Sequence, residues 1–459
     1  MVKELATVQP AEAPPTTPAA EAARLTEPRW SLAFVGILGY VIVEYMRLPM
    51  SYEIFRTIYI GKVVILVAAL GWVLSPRLRG GDRSMPRALD IMVGLLLLGV
   101  FFSMLFATYL DLAWDAYLDL LKWGVIYFLI ARIVISSWRV KIFVFLLLLL
   151  NLKLAQAGIR YFYNSRAYWG DEMVAVREGA RAGSTGFFSN SADYGVAMCV
   201  VWPIATMLLF SRPKGLWRFL LLACVPVLLL AILVCGSRGA VVGAICILLV
   251  AWVRTVRKSA AFLMVILFLP GIFFVLPEAS KERFRSAINY QQDPTASSRI
   301  IFWKAGLKMF RDHPLMGVGL ANFANVRVAE YLDDEGPARA YVPHSIYIQA
   351  LSELGILGTA PFVGLWILSF VTNSRTRKRL LGEDPTNRRS FEFCLACGLD
   401  LAMVGYLASG AFVAVLYYPH LWVLLGLSSG LHTACSRRRP GQEYGPPTAT
   451  DPSWRPAPA

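Results

Sequence analysis

Two arginines, a histidine and an asparagine are the residues of this chain that can do chemistry together. Arg238 lies in CGSRGA, between two apolar runs. N–H groups at a helix start, Gly236 and Gly239 for close approach, and a guanidinium fork make such a turn fit to hold a phosphate. Arg299 stands four residues before Trp303 in SSRIIFWKAGLKMFRDHP and offers a second cation. His344, one of four histidines, opens HSIYIQALSELGILG. A neutral imidazole accepts a proton near neutral pH, which few side chains do without strong perturbation. Asn190, in STGFFSNSADYG, can bind sugar or phosphate or cap the helix that follows it. Each has a structural alternative: an arginine snorkelling to water, a cation–π pair with Trp303, a histidine or asparagine at a helix start.

Other polar groups carry less. Glu353 lies nine residues after His344, about 13 Å further along a helix and on its opposite side, so it reads as a partner for another polar group or as indirect support. Asp333, Asp334 and Glu335 read as a solvated acidic loop before they read as a cation site. His313 reads as a helix-terminal residue, and no partner is legible for His420 or His432. Cys394 and Cys397 form a C-x-x-C inside an apolar run, where small apolar packing is the reading. There is no P-loop, no H-E-x-x-H, no G-x-S-x-G with partners and no G-x-G-x-x-G in a βαβ setting. ATP-driven transport by this chain and hydrolase chemistry are therefore unsupported.

The elements that must position these residues are apolar helices. Of 459 residues 57% are hydrophobic and 16% charged, which excludes an ordinary soluble domain. Runs of about 20 apolar residues recur, long enough to cross a bilayer. The expected fold is an all-α polytopic membrane protein. About twelve spans are expected near 30–48, 57–75, 89–109, 116–136, 139–158, 193–210, 216–235, 238–254, 259–277, 349–372, 391–411 and 415–433. The net charge of +15 falls mostly in every second loop, such as SRPKGLWR and NSRTRKRLLGEDPTNRR, so it reads as a topology signal and not as a nucleic-acid footprint. Both termini are then cytoplasmic, and residues 159–192, the CGSRG turn and residues 278–348 face outward. Residues 1–29 and 436–459 read as disordered cytoplasmic tails around a membrane domain at 30–435.

Within the 278–348 loop, Ser297 or Ser298 is the expected cap of an amphipathic helix. Ile300, Trp303, Leu307 and Phe310 form its apolar stripe, and Lys304, Lys308 and Arg311 a basic one. Outward placement sharpens Arg238: a cation there violates the charge bias and sits at a positive helix end, and a bound anion offsets both.

CGSRGA, SSRIIFWKAGLKMFRDHPLMGVGLANF and HSIYIQALSELGILG, in that order, resemble the O-antigen ligase and O-antigen polymerase family of bacterial inner-membrane proteins. TGFFSN resembles its asparagine-containing lead-in, although Ala192 or Asp193 stands where the family often has a second asparagine. The resemblance covers roughly residues 186–430. It implies an inner-membrane glycosyltransferase with a periplasmic active face. The donor would be a glycan on undecaprenyl pyrophosphate, and the acceptor lipid A–core or another lipid-linked glycan. No metal, nucleotide sugar or other cofactor is expected. By position, Arg238 and Arg299 would hold the pyrophosphate and stabilise it as it leaves, with Trp303 and Asn190 among the substrate-binding residues and His344 as base. The alternatives are an O-antigen or exopolysaccharide polymerase and, from another class, a transporter or flippase of an anionic lipid. The inverted repeats a transporter would favour are not seen.

The expected topology is testable with single cysteines. One near residue 290 should react with an impermeant thiol reagent from outside, and one near residue 380 should not; reversed labelling would overturn the orientation.

Overall fold

The computed structural model describes residues 30–75, 87–176, 190–254, 294–331 and 341–437. Among them every regular element is a helix. In chain order we label α1 Leu32–Met46, α2 Ile60–Val73, α3 Arg87–Leu105, α4 Leu110–Ile133, α5 Ser137–Val176, α6 Ser191–Leu209, α7 Gly215–Val234, α8 Arg238–Arg254, α9 Pro294–Asp312, α10 Phe323–Glu330, α11 Ile346–Glu383, α12 Phe391–Gly410 and α13 Pro419–Ser436.

Eleven of the expected spans coincide with helices, and the one near 259–277 lies outside the described residues. Among the described residues six helices can cross a membrane by length and composition: α3, residues 137–164 of α5, α6, α7, α11 and α12. α1 and α2 are apolar but shorter. The described residues are therefore those of an all-helical, multi-pass membrane protein, with six crossings supported among the eleven expected spans that they include.

Three local expectations change. α5 continues to Val176, so residues 159–176 are helix and not loop. α9 starts at Pro294, so Ser297 and Ser298 lie inside it and do not cap it. The face of α9 that packs on the protein carries Phe302, Ala305 and Met309, all buried. Of the stripe read from the sequence, Ile300 is 38% and Leu307 50% exposed, while Trp303 and Phe310 are half-buried. The helix thus has two apolar faces side by side, and the protein-facing one was not read from the sequence.

Small residues let the helices approach where no hydrophobic force separates protein from lipid. A Cβ at Gly398 would meet the Ile204 backbone at 2.9 Å, which seats α12 on α6; one at Gly99 would meet the Leu357 carbonyl at 2.4 Å, which seats α3 on α11.

α11 is broken at Gly355 (φ 57°, ψ −159°). An unbroken helix would pair the N–H groups of Ile356 and Leu357 with the carbonyls of Ser352 and Glu353. Here the turn after α9 takes both sides of that exchange. Ile356 N–H donates to Pro314 O at 2.8 Å and Leu357 N–H to Leu315 O at 3.1 Å, while Val318 N–H donates to Ser352 O at 2.8 Å and Gly319 N–H to Glu353 O at 3.2 Å. Ser103 Oγ adds a 2.7 Å bond to Glu353 O. The four groups released by the break thus all find partners, as backbone in a low-dielectric setting must. The exchange requires backbone against backbone. Gly317 has φ +68°, and a Cβ there would lie 2.4 Å from the Glu353 carbonyl carbon; one at Gly355 would lie 2.5 Å from Leu315.

Gly317→Ala and Gly355→Ala should each cost about 2–4 kcal/mol, combining a left-handed residue with a backbone clash. Gly94→Ala, in α3 with nothing within 4 Å of a new Cβ, should be neutral or stabilising. Thermal unfolding of the purified variants checks the contrast.

Candidate active site

The same interlock prepares the segment that carries His344. The segment 341–343 is fastened to α9 by two aromatic side chains. Trp303 Nε1 donates to Pro343 O at 3.0 Å, and the Phe302 ring lies 5.9 Å from the Tyr341 ring. Beneath it, the Arg327 guanidinium, buried in α10, stacks 4.8 Å from the Phe302 ring. The chain then turns through His344 in the left-handed region (φ +50°) before α11 begins at Ile346. A non-glycine residue there is strained and persists only where its surroundings enforce it. Ile346 is buried in the place that a Cβ on Gly410 would need, and the Tyr347 hydroxyl donates to Leu407 O at 3.0 Å. His344 is thereby fixed from both sides, by α9 and by the end of α12.

Its electrostatics follow from that position. Burial first, and the Arg299 charge second, push the His344 imidazole down to about 4. It is neutral at pH 7, with a lone pair available. Arg299 and Trp303, one turn apart on α9, therefore serve the same short segment: one bears on the charge of His344 and the other holds its backbone.

Arg238 is the first residue of α8, after Gly236 at φ +65°. Its turn packs on the α12 end as well. A Cβ at Gly239 would lie 3.0 Å from Phe412 Cβ and 3.3 Å from Ser409 O. The arginine turn and the start of α11 thus both pack on the same stretch, residues 407–413. Asn190 joins them at this end: its Oδ1 accepts from Ala192 N–H at 2.8 Å and Asp193 N–H at 2.9 Å, which makes it the cap of α6. One turn on, Gly195 faces Cys235, Ser237 and Ala240 of the arginine turn. The side chains singled out from the sequence are therefore gathered at one end of the bundle. The other end carries a buried carboxylate, Asp400, held by Arg377 at 2.7 Å, Arg254 at 3.0 Å and Asn373 at 3.0 Å.

Glu353 is buried and does not orient His344. Its carboxylate accepts from Phe323 N–H at 3.3 Å, from Gln349 Nε2 at 3.3 Å and from the Tyr417 hydroxyl. Tyr417 was not legible as a partner, nor was Tyr418, whose hydroxyl donates to Asp193. The paired tyrosines of LYYPH at a helix connection were the available signal. Asn322 was missed too. Fully buried, it accepts from Tyr109 N–H at 2.6 Å and donates to Tyr109 O at 3.1 Å, which clasps the α3–α4 connection to the turn before α10. His313 ends α9 as expected, its carbonyl accepting from Gly317 N–H at 3.0 Å. His432 does have a partner, Thr376 Oγ1 at 2.9 Å from its Nδ1. Asp333, Asp334 and Glu335 lie outside the described residues.

An arginine turn, an arginine–tryptophan helix and a strained histidine thus lie at one end of a membrane bundle. Residues 223–363 match a family model described as O-antigen ligase. That range takes in Arg238, α9, the interlocking turn, His344 and the break at Gly355, so the resemblance to the O-antigen ligase family rests on the part of the chain that builds this site. The family is one of glycosyltransferase-like enzymes of ligase and polymerase type. No curated protein matches the chain.

Replacing Arg299 by Gln removes one of the two causes that hold the His344 value down. The His344 ring resonances should then titrate at a higher pH than in the parent protein. The sign is fixed by charge: a nearby cation disfavours the imidazolium. In the parent, the folded protein binds fewer protons than the unfolded chain between about 4 and the ordinary 6.5. Stability linked to His344 is therefore lost as pH falls through that window; the Gln variant should lose less of it.

Proposed function

We propose that this protein transfers a glycan from undecaprenyl pyrophosphate to an acceptor hydroxyl at the periplasmic face of the inner membrane, with lipid A–core as the acceptor. The reading rests on one observation above all: a neutral histidine held in strained backbone beside Arg299, at the same bundle end as the Arg238 turn. The acceptor oxygen attacks the anomeric carbon of the glycan. The bond from that carbon to the pyrophosphate oxygen breaks, and undecaprenyl pyrophosphate leaves with the electron pair. His344 takes the hydroxyl proton, while Arg238 and Arg299 balance the charge on the leaving group, the role a divalent ion fills elsewhere.

The position of Arg299 gives the two halves of this reaction a common control. Before the donor binds, the arginine charge weakens His344 as a base. A pyrophosphate seated on Arg299 offsets that charge, so the imidazole gains basicity when there is a glycan to transfer. Trp303 and Asn190 are assigned to substrate binding, Asn190 through its amide, since its Oδ1 caps α6. The bundle end that carries Arg254, Arg377 and the basic residues after α11 is assigned to the cytoplasm, with both termini.

Purified protein, given a lipid-linked glycan with and without lipid A–core, should form product only with the core; chain growth without it would make the enzyme a polymerase. In that assay His344→Ala should leave donor binding nearly intact and lower turnover by about 10²–10⁴-fold, the usual loss with a general base. Arg238→Lys should weaken donor binding, turnover or both, because an ammonium cannot supply the planar fork that matches a phosphate. A folded His344→Ala variant with parental turnover would remove the base from the reading.

A further inference from the structure

The connection between α12 and α13, residues 411–418, reaches the arginine turn, the first helical piece of α11 and the start of α6 without contributing a residue proposed to touch substrate. Three observations define it. At its start, Phe412 and Val413 lie against Gly239, and Gly410 just before it receives Ile346, so this stretch packs on both the arginine turn and the first residues of α11. At its end, two adjacent hydroxyls point to two different helices: Tyr417 donates to Glu353 on α11, and Tyr418 donates to Asp193 in the first turn of α6. Both carboxylates are almost fully buried, with 2% of Glu353 and 3% of Asp193 exposed. Finally, the connection is itself held in shape, because the Tyr406 hydroxyl donates to Val415 O at 3.0 Å.

Each tyrosine reaches the segment next to one half of the site. Glu353 closes the short helical piece Ile346–Leu354, whose other end is His344 and which stops at the Gly355 break. Asp193 lies between the Asn190 cap and Gly195, and Gly195 packs directly on Cys235, Ser237 and Ala240 around Arg238. A buried carboxylate is costly to leave without a donor, so each tyrosine fixes where its helix sits relative to the connection. Adjacent residues on one backbone cannot move apart, so the two helices are referenced to a single ruler.

We propose that Tyr417 and Tyr418 are positioning residues that set the separation between the pyrophosphate-binding arginine turn and the base His344, acting through Glu353 and Asp193. The proposal rests on the function assigned above. It predicts a division of labour. Tyr418 governs the donor side, because its carboxylate partner abuts the Arg238 turn. Tyr417 governs the proton-transfer side, because its partner ends the piece of helix that His344 begins.

The test compares Tyr417→Phe and Tyr418→Phe in the full-length purified protein, using an undecaprenyl-pyrophosphate-linked glycan as donor and thermal unfolding as a fold check. Tyr418→Phe should raise the donor KM roughly tenfold with kcat within about twofold. Tyr417→Phe should lower kcat roughly tenfold with the donor KM within about twofold, the size expected for a displacement well under 1 Å. Glu353→Gln and Asp193→Asn keep the shape of each partner and should reproduce the defect of the tyrosine they face. Each double variant should be no worse than its worse single, since one contact is lost only once. Equal effects of both tyrosines on the same parameter, parental kinetics in folded variants, or a failure of both members of a pair to fold would each overturn the proposal. His344→Ala and Arg238→Lys run beside them separate the two readings. If those two are impaired and the tyrosine variants are not, the ruler alone fails; if those two turn over like the parent, the assigned function fails.

Discussion

The exchange of backbone hydrogen bonds at Gly355 is the constraint on which the rest of this structure depends. A helix interrupted inside a membrane protein leaves carbonyls and N–H groups that lipid cannot satisfy, each at a cost of several kcal/mol. In this protein the turn 313–319 supplies the missing partners one for one. The end of α9 is thereby welded to the middle of α11, and His344, tied to α9 by the Trp303–Pro343 bond and leading into α11, is confined between the two. The glycines at 317 and 355 follow from the requirement that two backbones touch, while Gly319 leaves room for Ala107.

That confinement explains how a loop segment holds a strained histidine. His344 lies between a tryptophan anchor on one side and Ile346, pressed on Gly410, on the other. The strain is borne by an interlock elsewhere, and the short helix from Ile346 to Leu354 behaves as a rigid arm rather than as the frayed start of a long span. A site built this way keeps its electrostatics fixed too. The Arg299 charge acts on His344 at a set distance because both are fastened to the same frame, which is the condition for preorganised stabilisation of charge.

Much of this was legible in the sequence. Long apolar runs marked where helices form, and eleven coincide with helices, although α5 and α11 run well past the ends expected for them. Arg238, Arg299, His344 and Asn190 stood out because each was an expensive or helix-starting residue at the edge of such a run. What was hidden depends on contacts across the chain. The break at Gly355 does not interrupt an apolar pattern, so HSIYIQALSELGILG reads as the start of one helix. The tyrosines of LYYPH carry no charge to attract notice, yet their partners are 64 and 225 residues away. The protein-facing stripe of α9, with Phe302, Ala305 and Met309, shares the helix with a second apolar stripe at Ile300, Trp303, Leu307 and Phe310, and the second was the one read. The end of α5 was lost because polar residues replace apolar ones after about residue 158 while the helix continues.

The direction of synthesis gives the interlock and the Asn322 clasp different histories. Residues 314–319 leave the ribosome before residues 352–357, so the partners of the broken helix already exist when it is made. Tyr109 is in the opposite situation: its peptide groups precede their partner Asn322 by 213 residues. Tyr109 sits in the α3–α4 connection, 39% exposed even in the finished protein, where water can serve its backbone in the interval. Groups that cannot wait are thus made after their partners, and groups that must wait are kept where waiting costs little. The order of the elements along the chain is in this sense a schedule for assembly as well as a list of parts.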